Sequence, residues 1–68
     1  MNNNEAVKVS VRHLQVGDVT TGSGITITHR PYTSVRCPAR KLWVEGVRDN
    51  GTPFLGCWGA DTTVSVIR

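Results

Sequence analysis

No window of this chain places apolar side chains at three- and four-residue spacing. That absence excludes amphipathic helices, and with them helical bundles and layered α/β folds. Long apolar runs are missing as well, and no stretch approaches the ~20 residues that a membrane-spanning helix needs. The first residues, Met1 to Val9, lack the basic segment and following apolar stretch of a secretory signal. The expectation is a cytoplasmic protein with no membrane partner.

Soft metal ligands are scarce: Cys37, Cys57, His13 and His29. There is no C-x-x-C, and no two His lie three to five residues apart, so the spacing of a zinc site is absent. The two cysteines are therefore expected to be reduced, metal-free thiols in a cytoplasm. A Cys37–Cys57 disulfide is the alternative that an oxidising setting would favour. No phosphate-binding loop, dinucleotide fingerprint or nucleophile elbow occurs. Cys37 with His29 and Asp18 or Asp61 can be drawn as a triad, but nothing local supports it. Neither an enzyme nor a cofactor is expected. Aromatics are few (two Trp, one Tyr, one Phe), and the aromatic repeats of RNP-type or cold-shock-type RNA binders are absent.

What is present is alternation. Val7, Val9 and Val11 alternate with Lys8, Ser10 and Arg12, the pattern of a half-buried strand. Leu14 and Val16 are expected to tuck under a short turn ending at Gly17-Asp18. A strand from Asp18 to Thr21, a hairpin at Gly22-Ser23-Gly24 and a strand through Ile25 and Ile27 follow. Pro31 should end that strand, since proline cannot donate to a ladder. Leu42 to Arg48 and Thr52 to Trp58 form a second hairpin around Asp49-Asn50-Gly51, and Thr62 to Ile67 is the last strand. Residues 1–5 read as a disordered polar tail and 6–68 as one domain. The fold class is all-β: a small antiparallel barrel or rolled sheet of five or six short strands. Val9, Ile25, Ile27, Leu42, Val44, Val64 and Val66 form the expected core. At 68 residues, 38% hydrophobic and 19% charged, such a chain is apolar enough to fold, yet it buries only about 60% of its extended surface.

A strand, the element Leu14-Gln15-Val16-Gly17-Asp18 and a glycine hairpin resemble the opening of SH3-like barrels. The whole chain is similar in pattern to short orphan β proteins encoded by actinobacterial phages. That resemblance implies an accessory protein acting on a host or phage component. The L-x-x-G-D element also occurs in intein-like and hedgehog-like folds, where a Cys or Ser nucleophile opens the domain. Here Met1-Asn2 stands in that place, so no catalytic residue is carried over.

Charge is uneven. The formal net charge is +3, and His29 to Trp43 holds four of the eight basic residues, together with Tyr32 and two of the three prolines. Arg30, Tyr32, Arg36, Arg40, Lys41, Trp43 and Trp58 are the candidate binding residues. Arg, Trp and Tyr are the usual anchors of protein interfaces. If Leu42 and Val44 face the core, Trp43 and Val47 face outward, and Trp58 joins them across the hairpin. The expected function is non-catalytic protein–protein interaction or self-association. The alternative is single-stranded or non-specific nucleic-acid binding, with the basic side chains on phosphates and the aromatics on bases. The bland reading is a soluble loop above a barrel that buries both faces of the hairpin.

Overall fold

The computed structural model describes residues 5–68. Most of the expected tail, residues 1–4, lies outside the described residues, and Glu5 is exposed coil. Six strands follow one another: β1 (Ala6–Ser10), β2 (Val19–Thr20), β3 (Thr26–Tyr32), β4 (Lys41–Val47), β5 (Pro53–Gly59) and β6 (Thr63–Ile67), with a 3₁₀ turn at Val11–His13. They make one antiparallel sheet in the order β1-β6-β2-β3-β4-β5. Among the described residues β1 and β5 are the two ends of that order and do not pair. The architecture is thus a rolled sheet with two edges.

Rolling buries one face. Val11, Leu14, Ile25, Ile27, Val44 and Val66 form the core, with Val9, Leu42, Phe54, Trp58 and Val64 packed on its margin. Burial of each such aliphatic side chain contributes about 1.5–3 kcal/mol. Of the expected core, Ile25, Ile27, Val44 and Val66 are buried and Val9, Leu42 and Val64 lie on its margin. Val11 and Leu14, not among those seven, are buried as well, whereas Val16, expected under the turn with Leu14, is 63% exposed.

The turn is built on Asp18. Its carboxylate, buried with the core, accepts from the Gln15 N–H at 2.9 Å and from Arg68 Nε at 3.1 Å. Gly17 supplies the positive φ of +98° that the reversal needs. Backbone bonds from Gly17 N–H to Ile27 O and from Ile27 N–H to Asp18 O, both 2.8 Å, then lock the turn to β3. The L-x-x-G-D element is a structural device.

Two irregularities in β3 decide what faces outward. Its register against β4 runs Ile27↔Gly46, His29↔Glu45 and Tyr32↔Trp43. Two steps on β3 answer one on β4, and then three answer two. Each mismatch is a β-bulge, in which an extra residue flips the side-chain alternation. Pro31 does not end the strand as expected, because the second bulge accommodates a residue with no N–H to donate. The first bulge turns His29 out of the inward row that Ile25 and Ile27 begin. The second brings Tyr32 to the same outer face.

Candidate interaction face

The outer face of β3, β4 and β5 is organised around Glu45. Tyr32 Oη donates to Glu45 Oε2 at 2.6 Å, and Trp43 Nε1 donates to the same oxygen at 3.2 Å. His29 Nδ1 lies 3.6 Å from Oε1. Strand geometry explains the grouping: Trp43 and Glu45 are two apart on β4 and share a face, while the bulges deliver His29 and Tyr32 opposite them. The hydrogen bond from Tyr32, the neighbouring His29 and the Trp43 N–H hold the Glu45 carboxyl below the usual carboxylate range. The same bond, which needs the phenol proton, raises the Tyr32 hydroxyl above its ordinary value.

The segment 33–40 crosses this face. Its backbone bonds are local turns, from Cys37 N–H to Ser34 O and from Lys41 N–H to Pro38 O, until its last residue, Arg40, accepts from Ala60 N–H. What ties its middle to the sheet is a disulfide between Cys37 and Cys57. This overturns the expectation of two reduced thiols. Cys57 pairs with Trp43 in the β4–β5 register and so points outward. The turn at Ser34 carries Cys37 over it, with the two Cα atoms 5.6 Å apart, within bonding range. Compartment arguments speak to the supply of oxidant and are blind to such proximity. A bonded Cys37 and Cys57 leave no thiolate for zinc or nucleophilic attack. Among the described residues no three His, Cys, Asp or Glu gather as a metal site.

The tether sets Arg36 above the Trp43 ring, its guanidinium carbon 5.4 Å from the centroid, a cation–π contact. Trp43 is consequently half-buried, while Tyr32 stays 45% exposed. Val35 at the loop tip and Leu55 on β5, across from Glu45, are exposed hydrophobics beside this cluster. Lys41 shares Trp43's face by alternation, and Arg30 and Arg40 are exposed nearby in sequence. Arg40 has a left-handed φ of 68° and gives its carbonyl to Ala60 N–H at 2.8 Å.

Trp58 does not join Trp43. It pairs with Leu42 and lies on the inward side with Phe54, their ring centroids 5.4 Å apart. There it lines an open apolar groove of about 520 Å³ together with Thr20, Ser23, Thr62 and Val64. The reason is parity: an even-numbered β5 residue opposite Leu42 must share Leu42's face. Sequence reasoning also passed over Glu45, Cys37 and Cys57 as parts of this face. The outward row Trp43, Glu45, Val47 was visible for Glu45, but nothing local marks its partners.

Among the described residues no helix is long and apolar enough to cross a membrane. No family model, no curated protein and no solved structure matches this chain.

Proposed function

We propose that the chain is a non-catalytic binding module that contacts a protein through the outer face of β3 and β4, with Tyr32 and Trp43 as anchors. The observation that carries this is the shared Glu45 oxygen. One carboxylate pins both aromatic side chains, so little side-chain freedom remains to be lost on binding. Rigid, amphipathic aromatics beside Arg36 are the side chains that dominate interface energetics. The resemblance to phage-encoded β proteins adds the expectation that the partner is a host or phage component.

Nucleic acid is the second reading, favoured by the exposed Lys41 on the same face and by the exposed Arg30 and Arg40 nearby in sequence. Two features weigh against it. Glu45 sets a negative charge at the centre of the cluster, where phosphates would be repelled. Arg36 already covers the Trp43 ring on which a base would stack.

Panning a displayed-peptide library against the folded chain, beside binding of a poly-dT oligonucleotide at rising salt, separates the readings. Peptides whose affinity drops at least tenfold on Trp43→Ala, and which persist at moderate salt, are the expected result, because apolar burial is not screened. Oligonucleotide binding that falls steeply with salt and vanishes in an Arg36→Ala/Arg40→Ala/Lys41→Ala variant would favour nucleic acid. Ligands of neither kind would leave the face a capped sheet surface.

A further inference from the structure

The free edge of β5 is shaped to pair with itself. Backbone hydrogen bonds between β4 and β5 fall on alternate residues, and both ends of the hairpin report the phase. Arg48 N–H donates to Thr52 O and Ala60 N–H to Arg40 O, each at 2.8 Å. In an antiparallel ladder that parity places Phe54, Gly56 and Trp58 in bonds to β4. Pro53, Leu55, Cys57 and Gly59 therefore aim their backbone groups away from β4, and among the described residues no strand lies there. Two of these groups are missing or spent: Pro53 has no N–H, and the Gly59 carbonyl accepts from Thr62 N–H at 3.0 Å.

We infer that two copies of this chain join β5 to β5 in antiparallel fashion across a two-fold axis at Gly56, making one continuous sheet. In this register Leu55 faces the partner copy's Cys57, and each exchanges N–H and carbonyl. Pro53 faces the partner copy's Gly59, so the absent N–H meets the spent carbonyl while Gly59 N–H donates to Pro53 O. Slipping the register either way breaks the match. With Leu55 opposite its own copy, the Cys57 carbonyl meets the donorless Pro53. With Cys57 opposite its own copy, Leu55 N–H meets the spent Gly59 carbonyl.

Charge singles out this edge. β5, from Pro53 to Gly59, contains no charged residue, so two chains of net charge +3 can approach there without a facing pair of like charges. Edges that must stay single are commonly guarded by lysine. The other edge strand, β1, carries the exposed Lys8 at its centre. Side chains suit the pairing too. Leu55, 56% exposed, would lie against the partner copy's Cys37–Cys57 disulfide, and Phe54 beside its Trp58. The partner here is a second copy, met through the β5 edge, which adjoins the Tyr32–Trp43 anchors but uses different groups, so either reading can fail alone.

Sedimentation equilibrium of the full chain, with amide hydrogen exchange read by NMR, tests it. The apparent mass should rise with concentration from 7.4 kDa to twice that value and stop. Leu55 and Cys57 amides should exchange at least tenfold more slowly in the dimer than on dilution, while Gly56, bonded to β4, is protected in both. Leu55→Pro removes an N–H that β4 does not use, and should hold the chain at the monomer mass with an unchanged circular dichroism spectrum. If it fails to fold, Leu55→Lys supplies the same test through facing charges. Trp43→Ala should leave the dimer intact. A chain that remains monomeric at millimolar concentration, a dimer with unprotected Leu55 and Cys57 amides, or a mass that climbs past the dimer would overturn the inference.

Discussion

Breaking the Cys37–Cys57 bond should remove a large part of the fold's stability. The bond closes a loop of sequence separation 20. In the chain-entropy treatment such a cross-link lowers the unfolded chain's entropy by about 11 cal/mol/K, or ~3 kcal/mol at 25 °C. A chain of 68 residues holds roughly 3–10 kcal/mol in total, at about 0.05–0.15 kcal/mol per residue. Its loss would therefore leave the weakest permitted domain near its midpoint at room temperature. The perturbation is a Cys37→Ser/Cys57→Ser double variant, run beside the unsubstituted protein with and without dithiothreitol. Urea unfolding followed by Trp fluorescence gives both stability and slope. Stability should fall by ~3 kcal/mol, and the slope should rise because the unlinked chain exposes more surface when unfolded. The thermal midpoint should drop by roughly 12–24 °C, at about 4–8 °C per kcal/mol for a domain of this size. Reduced protein should match the double variant. A double variant within ~0.5 kcal/mol of the parent, with the same slope, would refute the reasoning: the segment 33–40 would then be held by contacts other than the disulfide.

Gly46→Ala should destabilise by about 1–3 kcal/mol or more, read by chemical denaturation. A Cβ there would stand 2.6 Å from both Ile25 Cγ2 and the Thr26 carbonyl oxygen, and backbone cannot yield cheaply. Arg68→Ala should cost roughly 1.5–3 kcal/mol, because the Asp18 carboxylate, only 3% exposed, would lose its ion-pair partner. Rescue by Arg68→Lys should be partial, since a single ammonium cannot reproduce the bonds from Nε and Nη2. Tyr32→Phe should raise the Glu45 titration midpoint toward the ordinary carboxylate value, measured by carbon-13 NMR of the carboxyl. The linkage has a definite sign. Glu45, depressed in the folded state, contributes stability present above its unfolded pKa and lost as pH falls through the folded one. Tyr32, raised, contributes stability present below its unfolded pKa of 10.0 and lost as pH climbs through the folded value. In Tyr32→Phe the alkaline dependence goes with the phenol, and the acid one should shrink but not vanish, since His29, Trp43 and Arg36 still favour the Glu45 carboxylate. An unchanged Glu45 midpoint would show that the hydrogen bond is not its leading cause.

Local alternation was enough to read the architecture. Whether a residue of β1, β4 or β6 points inward depends only on its neighbours along the strand, so Val44 and Val66 could be assigned to the core from sequence. The turns at Gly24 and Gly51 were equally legible, because each needs a positive φ that glycine adopts without steric cost. Pro53, without an N–H to donate, stands both at the first position of β5 and on the sheet's edge. The candidate site was legible in residue type and illegible in arrangement. Tyr32, Arg36 and Trp43 do converge, but Trp58 faces the other way, and Glu45 at the hub drew no notice. The deciding events are not local. Two bulges in β3 arise from how it matches β4, and each reverses every side chain beyond it. The disulfide joins residues twenty apart in sequence, brought within reach by the hairpin register and one turn. Period-two patterning records which face a side chain takes along one strand. Which side chains then meet across strands is set by register, and register belongs to the folded sheet.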